Sequence, residues 1–395
     1  MERRLRLHFL TLLFVVFATA ALGAGCAESI QTGGGRDAST DEPAPDADIV
    51  PGPAVSELRL VAEDAEWRVD GQPISATAPA LRSLPGHNAF WFAWSIFHPG
   101  TPIFEGPATR QATIQGDDQC TVPCDQISPA CGGRDCIPSL QSPTMVPVGD
   151  PALGYLRDTD EVLGVITSEG PRAYPHNILW WHEIINETVG GQSYAVTYCP
   201  LTGSGINYDR SRFVDGQVIE LGVSGNLYNS NLTMYDRTTE SFWSQMRLES
   251  VSGERIGTPT PVLPVFEMTW RAWRELHPDT LVVSSDTGHR RDYQRYPYSS
   301  YRTDNDNTFR VTDPAPDPSF DNKDFVFGLL TENGVKGYPW ETLAQTVGSR
   351  RGVIQDEVDG LSVLIVFDLD RRFVHAFDAS VDGSTRTFSL EGSGE

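Results

Sequence analysis

Lysine is nearly missing from this chain: of its 30 cationic residues only Lys323 and Lys336 are lysine, and they face 53 acidic residues. The formal charge of −23 repels nucleic-acid phosphates, and no basic stripe interleaved with aromatics offsets it. DNA and RNA are therefore excluded as partners, and so is attraction to anionic lipid headgroups. Several catalytic signatures are absent as well. There is no Gly-x-Ser-x-Gly elbow, no His-Glu-x-x-His and no phosphate-binding glycine loop. Asp286-Thr287-Gly288 stands alone, whereas aspartic-protease chemistry needs two such carboxylates.

Long apolar runs are equally scarce. The one from His8 through Leu22 follows Arg3, Arg4 and Arg6, and it is too short and too early to span a membrane as a mature helix. This is the layout of a secretory signal over residues 1–25, so an exported protein is expected. Cys26 follows the small residues Gly23-Ala24-Gly25, where a bacterial lipoprotein is cut and its new N-terminal cysteine acylated. Leu22 lies four places before the cysteine rather than three, which keeps ordinary cleavage as the alternative. Residues 26–55 are rich in Gly, Asp, Pro, Ala and Ser without apolar periodicity and read as a solvated tether. The expectation is a cell-envelope protein, lipid-anchored and facing the periplasm or the exterior. Protein partners are not legible.

Four cysteines, Cys120, Cys124, Cys131 and Cys136, crowd into one stretch. In an exported chain they are expected to form two local disulfides, with three connectivities open and a tetrathiolate zinc site as the rival. Cys199 is left odd. It ends the apolar run Tyr194 to Tyr198 and precedes a Pro- and Gly-rich turn, the pattern of a strand ending at a sheet rim.

With 39% hydrophobic residues the chain can bury a large core, and that core is built from echoes. Trp91-x2-Trp94-x3-His98-Pro99-x-Thr101 recurs as Trp270-x2-Trp273-x3-His277-Pro278-x-Thr280. Gly164, ten residues before Tyr174-Pro175, recurs as Gly328, ten before Tyr338-Pro339, and Ser193 to Asp209 lines up with Ser362 to Asp378. The order is the same and the offsets are 179, 164 and 169, so the reading is a duplication with loop insertions. The expected fold is α+β and β-rich, with duplicated units packed as one pseudo-symmetric domain. The expected divisions are an N-terminal extension over 56–88, copy one over 89–224 with a Cys-rich insertion at 120–136, a polar insert over 225–266, and copy two over 267–395.

Differences between the copies point to a site. Cys199 falls on Asp368, and His182 and Glu183 fall on Thr346 and Val347. These three groups form the expected catalytic set. A thiolate beside imidazole is either an activated nucleophile or, through Cys199 and His182, half of a soft copper or zinc site. His98 and His277 occur in both copies and read as turn or capping residues. The insert contributes Asn229, Tyr235, Asp236, Arg237, Glu240 and Trp243 as expected substrate contacts, because loops that interrupt a scaffold often supply its site. The rival is a non-catalytic binding or scaffold lipoprotein with Cys199 buried.

Read together, Arg172-Ala-Tyr-Pro175, Trp181-His-Glu-Ile-Ile-Asn186, Val196-Thr-Tyr-Cys-Pro-Leu201, Gly222-Val-Ser-Gly-Asn-Leu-Tyr-Asn-Ser230, Met234-Tyr-Asp-Arg237, Glu240-Ser-Phe-Trp-Ser-Gln245 and Asp286-Thr-Gly288 carry a family pattern. The chain resembles the uncharacterised prokaryotic family called domain of unknown function 3179, over roughly Ile137 to Pro339. The resemblance implies that His182, Glu183 and Cys199 belong to the family's pattern. It brings no established activity. The pattern's second cysteine, in Tyr-Cys-Pro-Leu-Cys-Gly, is Thr202 here, which argues against a dithiol. Cys136 stands where the family tends to have glycine, as a lineage-specific disulfide staple would.

Overall fold

The computed structural model describes residues 53–392 apart from 64, 105–115, 117–118, 214–215 and 333. The signal segment, Cys26 and nearly all of the tether lie outside the described residues. Among those described, strands dominate and the α-helices are seven or eight residues long, the β-rich α+β class expected. None is long and apolar enough to cross a membrane.

The two tryptophan segments take one local form. Strand Gly86–Phe90 runs into helix Trp91–Phe97, and strand Phe266–Thr269 into helix Trp270–Leu276. His98 and His277 stand at the helix C-caps, their backbone N–H groups donating to the Trp94 and Trp273 carbonyls. Each imidazole lies on the indole of that tryptophan, with ring centroids 4.0 and 4.2 Å apart. The Tyr-Pro segments also agree. Hairpin 161–175 feeds helix His176–His182, and hairpin 325–339 feeds helix Trp340–Val347. Pro175 and Pro339 hold the N-cap positions at φ −63° and −60°, where no backbone N–H is needed for the helix ladder.

Pairing between these pieces runs crosswise. Strand 266–269 pairs antiparallel with strand Glu161–Thr167, whereas strand 86–90 pairs antiparallel with strand Phe325–Leu330 near the other end of the chain. Each helix lays its second tryptophan on a glycine of the hairpin that its strand joins. A Cβ at Gly164 would fall inside the Trp273 ring, and one at Gly328 inside that of Trp94. Glycine recurs at these two positions because a fully buried indole occupies the space above each.

The polar insert and the cysteine-rich stretch form one sheet. Strands Leu221–Tyr228, Asn231–Asp236, Phe242–Ser244 and Glu249–Ser252 meander, and Ile127–Pro129 adds to the 221–228 edge. The cysteines pair as neighbours, Cys120 with Cys124 and Cys131 with Cys136, which leaves no four-sulfur set for zinc. Arg237 clamps Asp135 of this stretch through two parallel hydrogen bonds of 2.8 Å.

Candidate metal centre

Cys199 closes strand Gln192–Cys199 with 1% of its surface exposed, its thiol 3.6 Å from the Ser230 carbonyl. Burial, then the nearby Glu183 carboxyl, pushes the thiol up to about 11. Glu183, at the C-cap of the 176–182 helix with φ 55°, is buried as well, and burial pushes its carboxyl up to about 8. The fold therefore sets Cys199 beside Glu183. His182 faces elsewhere: Nδ1 is 2.7 Å from the Pro138 carbonyl and Nε2 is 2.8 Å from the Tyr293 hydroxyl. A neutral ring satisfies both, with Nδ1–H donating to the carbonyl and Nε2 accepting from the phenol. Burial pushes His182 down to about 4. No ring nitrogen is left over to activate a thiol or bind an ion.

The insert residues are likewise bonded within the protein. Asn229 holds Thr312 and Asp313, and buried Asp236 accepts from the Thr238 and Thr239 backbone and from Trp243 Nε1. Tyr235 and Arg237 meet at Asp135, and Glu240 pairs with Arg134. Trp243 is fully buried. The Asp135 and Arg134 contacts fasten the insert sheet to the cysteine-rich stretch, and those of Asn229 tie it to Thr312 and Asp313.

A different group gathers where strand 266–269, strand 161–167 and the start of the 176–182 helix meet. The register sets Glu267 opposite Leu163, so Glu267 shares a sheet face with Glu161 two residues along. The hairpin return then brings His176, first residue of its helix, over that face. One ligand atom from each of Glu161, His176 and Glu267 lies within 4.8 Å of the other two. The group could hold a metal ion.

Its surroundings are ordered. His176 Nε2 is 3.5 Å from Glu267 Oε1, but buried and without a hydrogen-bond partner among the described residues. The ring lies on Tyr198 with centroids 4.0 Å apart. Glu267 Oε2 accepts from Asn88 Nδ2 at 3.0 Å, and Arg372 Nε reaches Glu161 at 3.3 Å. Burial pushes His176 down to about 4; burial, then the Glu161 charge, pushes Glu267 up to about 8. Burial also works against ionised Glu161, but Arg372 and His176 outweigh it and hold that carboxyl below its ordinary value. Two carboxylates and an imidazole with an uncommitted nitrogen suit a borderline or hard divalent ion.

The differences between the matched segments at Cys199, His182 and Glu183 do not include any of these three residues, although the signal is present. At the hairpin offset of 164, Glu161 and His176 fall on Phe325 and Trp340; at the tryptophan-segment offset of 179, Glu267 falls on Asn88. In the fold Trp340 Nε1 meets Asn88 Oδ1 at 3.3 Å, as His176 meets Glu267. His176 directly follows the Tyr174-Pro175 landmark, so the difference was one residue beyond the matched motif. What the sequence could not supply is the pairing of Glu267 with a hairpin roughly a hundred residues earlier.

No curated protein and no solved structure matches the chain. Residues 134–391 match the family described as Protein of unknown function (DUF3179), and they take in the hairpins, both of their helices, the four meandering strands of the insert and all three residues of the Glu-His-Glu group. With well over half of its length covered, the chain belongs to the DUF3179 family.

Proposed function

We propose that this is an extracytoplasmic protein, lipid-anchored through Cys26, whose Glu161, His176 and Glu267 hold a divalent metal ion. The observation that carries the metal reading is the buried His176 Nε2, without a hydrogen-bond partner among the described residues, beside two carboxylates within 4.8 Å. Zinc suits this donor set; copper is its competitor where imidazole is present. When bound, such an ion supplies Lewis-acid chemistry or activates a water. The residues around it orient the ligands: Asn88 holds Glu267, Tyr198 packs on His176, and Arg372 balances Glu161. Two disulfides suit an oxidising compartment and support the export reading.

The same comparison supports a duplication in which each tryptophan strand and helix now packs on the other copy's hairpin. One copy keeps Glu161, His176 and Glu267, and the other has Phe325, Trp340 and Asn88.

Elemental analysis of the purified protein tests the metal reading. Metal near one equivalent in wild type and in Cys199→Ser, lost in His176→Ala and Glu267→Gln, is the expected pattern. Loss in Cys199→Ser with retention in His176→Ala would return the site to the thiol. Absence of metal from wild type after incubation with zinc and with copper would leave the non-catalytic binding or scaffold reading.

A further inference from the structure

Arg372 joins the Glu-His-Glu group to an open cleft. Its Nε lies 3.3 Å from Glu161 Oε2, on the side of the group that reaches solvent: the Glu161 side chain is 21% exposed, against 2% for His176 and 6% for Glu267. The same arginine lines a cleft of about 540 Å³ with Phe320, Phe325, Trp340 and Arg350. Its guanidinium is held over Phe325 and Trp340, the central carbon 4.2 and 4.5 Å from their ring centroids. At the hairpin offset of 164 these two rings correspond to Glu161 and His176. One hairpin thus has a carboxylate and an imidazole where the other has the platform for Arg372. The backbone at Arg372 sits at φ 57°, just past the turn Leu369–Arg371, in a left-handed position that favours glycine. An arginine there carries a backbone cost that its side-chain contacts offset.

The other charged groups of the cleft are matched. Arg350 pairs with Asp370 at 2.6 Å and with Glu341 at 3.6 Å, and Asp324 Oδ2 accepts from the Asp321 N–H. Lys323 Nζ is buried over the Tyr301 ring, out of contact with solvent. Arg372 reaches Glu161 through Nε, and its two terminal nitrogens donate to no residue among those described. Paired N–H groups in the plane of a guanidinium are the geometry that holds a carboxylate.

We propose that this cleft is the substrate side of the metal centre and receives a small monocarboxylic acid, its carboxylate paired with the terminal nitrogens of Arg372. The inference rests on the metal reading above, because Glu161 is the residue that the two sites share. A molecule held by Arg372 lies beside an ion ligand, with its other end free to turn toward the ion. Asp324 and Glu341, which also line the cleft, disfavour a second negative charge.

Zinc-loaded protein tests this with two probes of one shape. Succinic monohydroxamate carries a zinc-binding hydroxamate and one carboxylate; its terminal amide keeps the hydroxamate and lacks the charge. Isothermal titration should show the acid binding about tenfold tighter than the amide, or more. In Arg372→Gln that preference should fall to within about twofold, and Arg372→Lys should keep part of it. The ratio of the two affinities cancels any change in how zinc itself is held, and circular dichroism checks that each variant is folded. Equal affinity for acid and amide in zinc-loaded wild type, or a preference that survives Arg372→Gln, would overturn the proposal and leave the metal reading standing. Failure of wild type to retain zinc or bind either hydroxamate would overturn the metal reading, and this proposal with it.

Discussion

Asn88 donates from Nδ2 to Glu267 Oε2 at 3.0 Å, across 179 residues of sequence. That separation is also the offset between the two tryptophan segments, so corresponding positions of the two segments touch one another. The bond joins the Glu-His-Glu group to its aromatic counterpart through Trp340, which donates to the same Asn88. Asn88→Leu would strand both Glu267 and Trp340 Nε1 in the interior. Urea unfolding should show a loss of about 1–3 kcal/mol, and a zinc titration should show affinity weaker by about tenfold to a hundredfold, the usual cost of losing a ligand's orienting partner. Unchanged affinity in a folded variant would detach Asn88 from the metal centre.

Thiol chemistry at Cys199 makes the opposite demand on accessibility. A thiol buried to 1% exposure and pushed up to about 11 should resist iodoacetamide in the native state at neutral pH and label only after denaturation. Rapid native labelling well below pH 8 would revive the nucleophile reading.

Glu183 gives the stability a pH dependence that can be isolated. The folded protein holds this proton up to about pH 8, whereas an ordinary carboxyl releases it near 4.5. Its contribution is therefore fully present below pH 4.5 and fades as the pH rises to about 8. Buried neutral His182 works the other way, contributing above its ordinary 6.5 and losing that contribution as the pH falls toward 4. Relative to wild type, Glu183→Gln should gain stability on going from acid to mildly alkaline solution. Parallel urea curves at all pH values would show that Glu183 is not held protonated by the fold.

Gly164 and Gly328 allow a packing test away from any chemistry. Alanine at either position would drive a methyl into a fully buried indole, Trp273 or Trp94, held on a fixed sheet. Overpacking of this kind costs about 1–3 kcal/mol or more, and both variants should lower the thermal midpoint. A neutral result at both would mean the helices can shift off their hairpins.

Much of this was legible because it is local. Strand, turn and capping signals span a few residues, and the matched spacings of Trp94 and Trp273, of Gly164 and Gly328, and of Pro175 and Pro339 mark segments that take the same local form. The β-rich class and the expectation of two local disulfides are legible for the same reason, while the fold chose among the three connectivities, Cys120 with Cys124 and Cys131 with Cys136. Glu161, His176 and Glu267 were harder to find because each is unremarkable on its own stretch of chain. His182 was the more conspicuous histidine, next to tryptophan and glutamate in a family motif, yet its nitrogens are taken by Pro138 and Tyr293, neither of them near it in sequence.

By itself, then, the sequence determined the short elements, the strongly acidic charge, and which positions differ between the echoed segments. The tertiary structure alone decided which segment pairs with which hairpin. Strand pairing is chosen by the burial of whole faces rather than by any one residue, so it leaves little trace in local pattern. From that choice follow the meeting of Glu267 with His176 and the bond from Asn88.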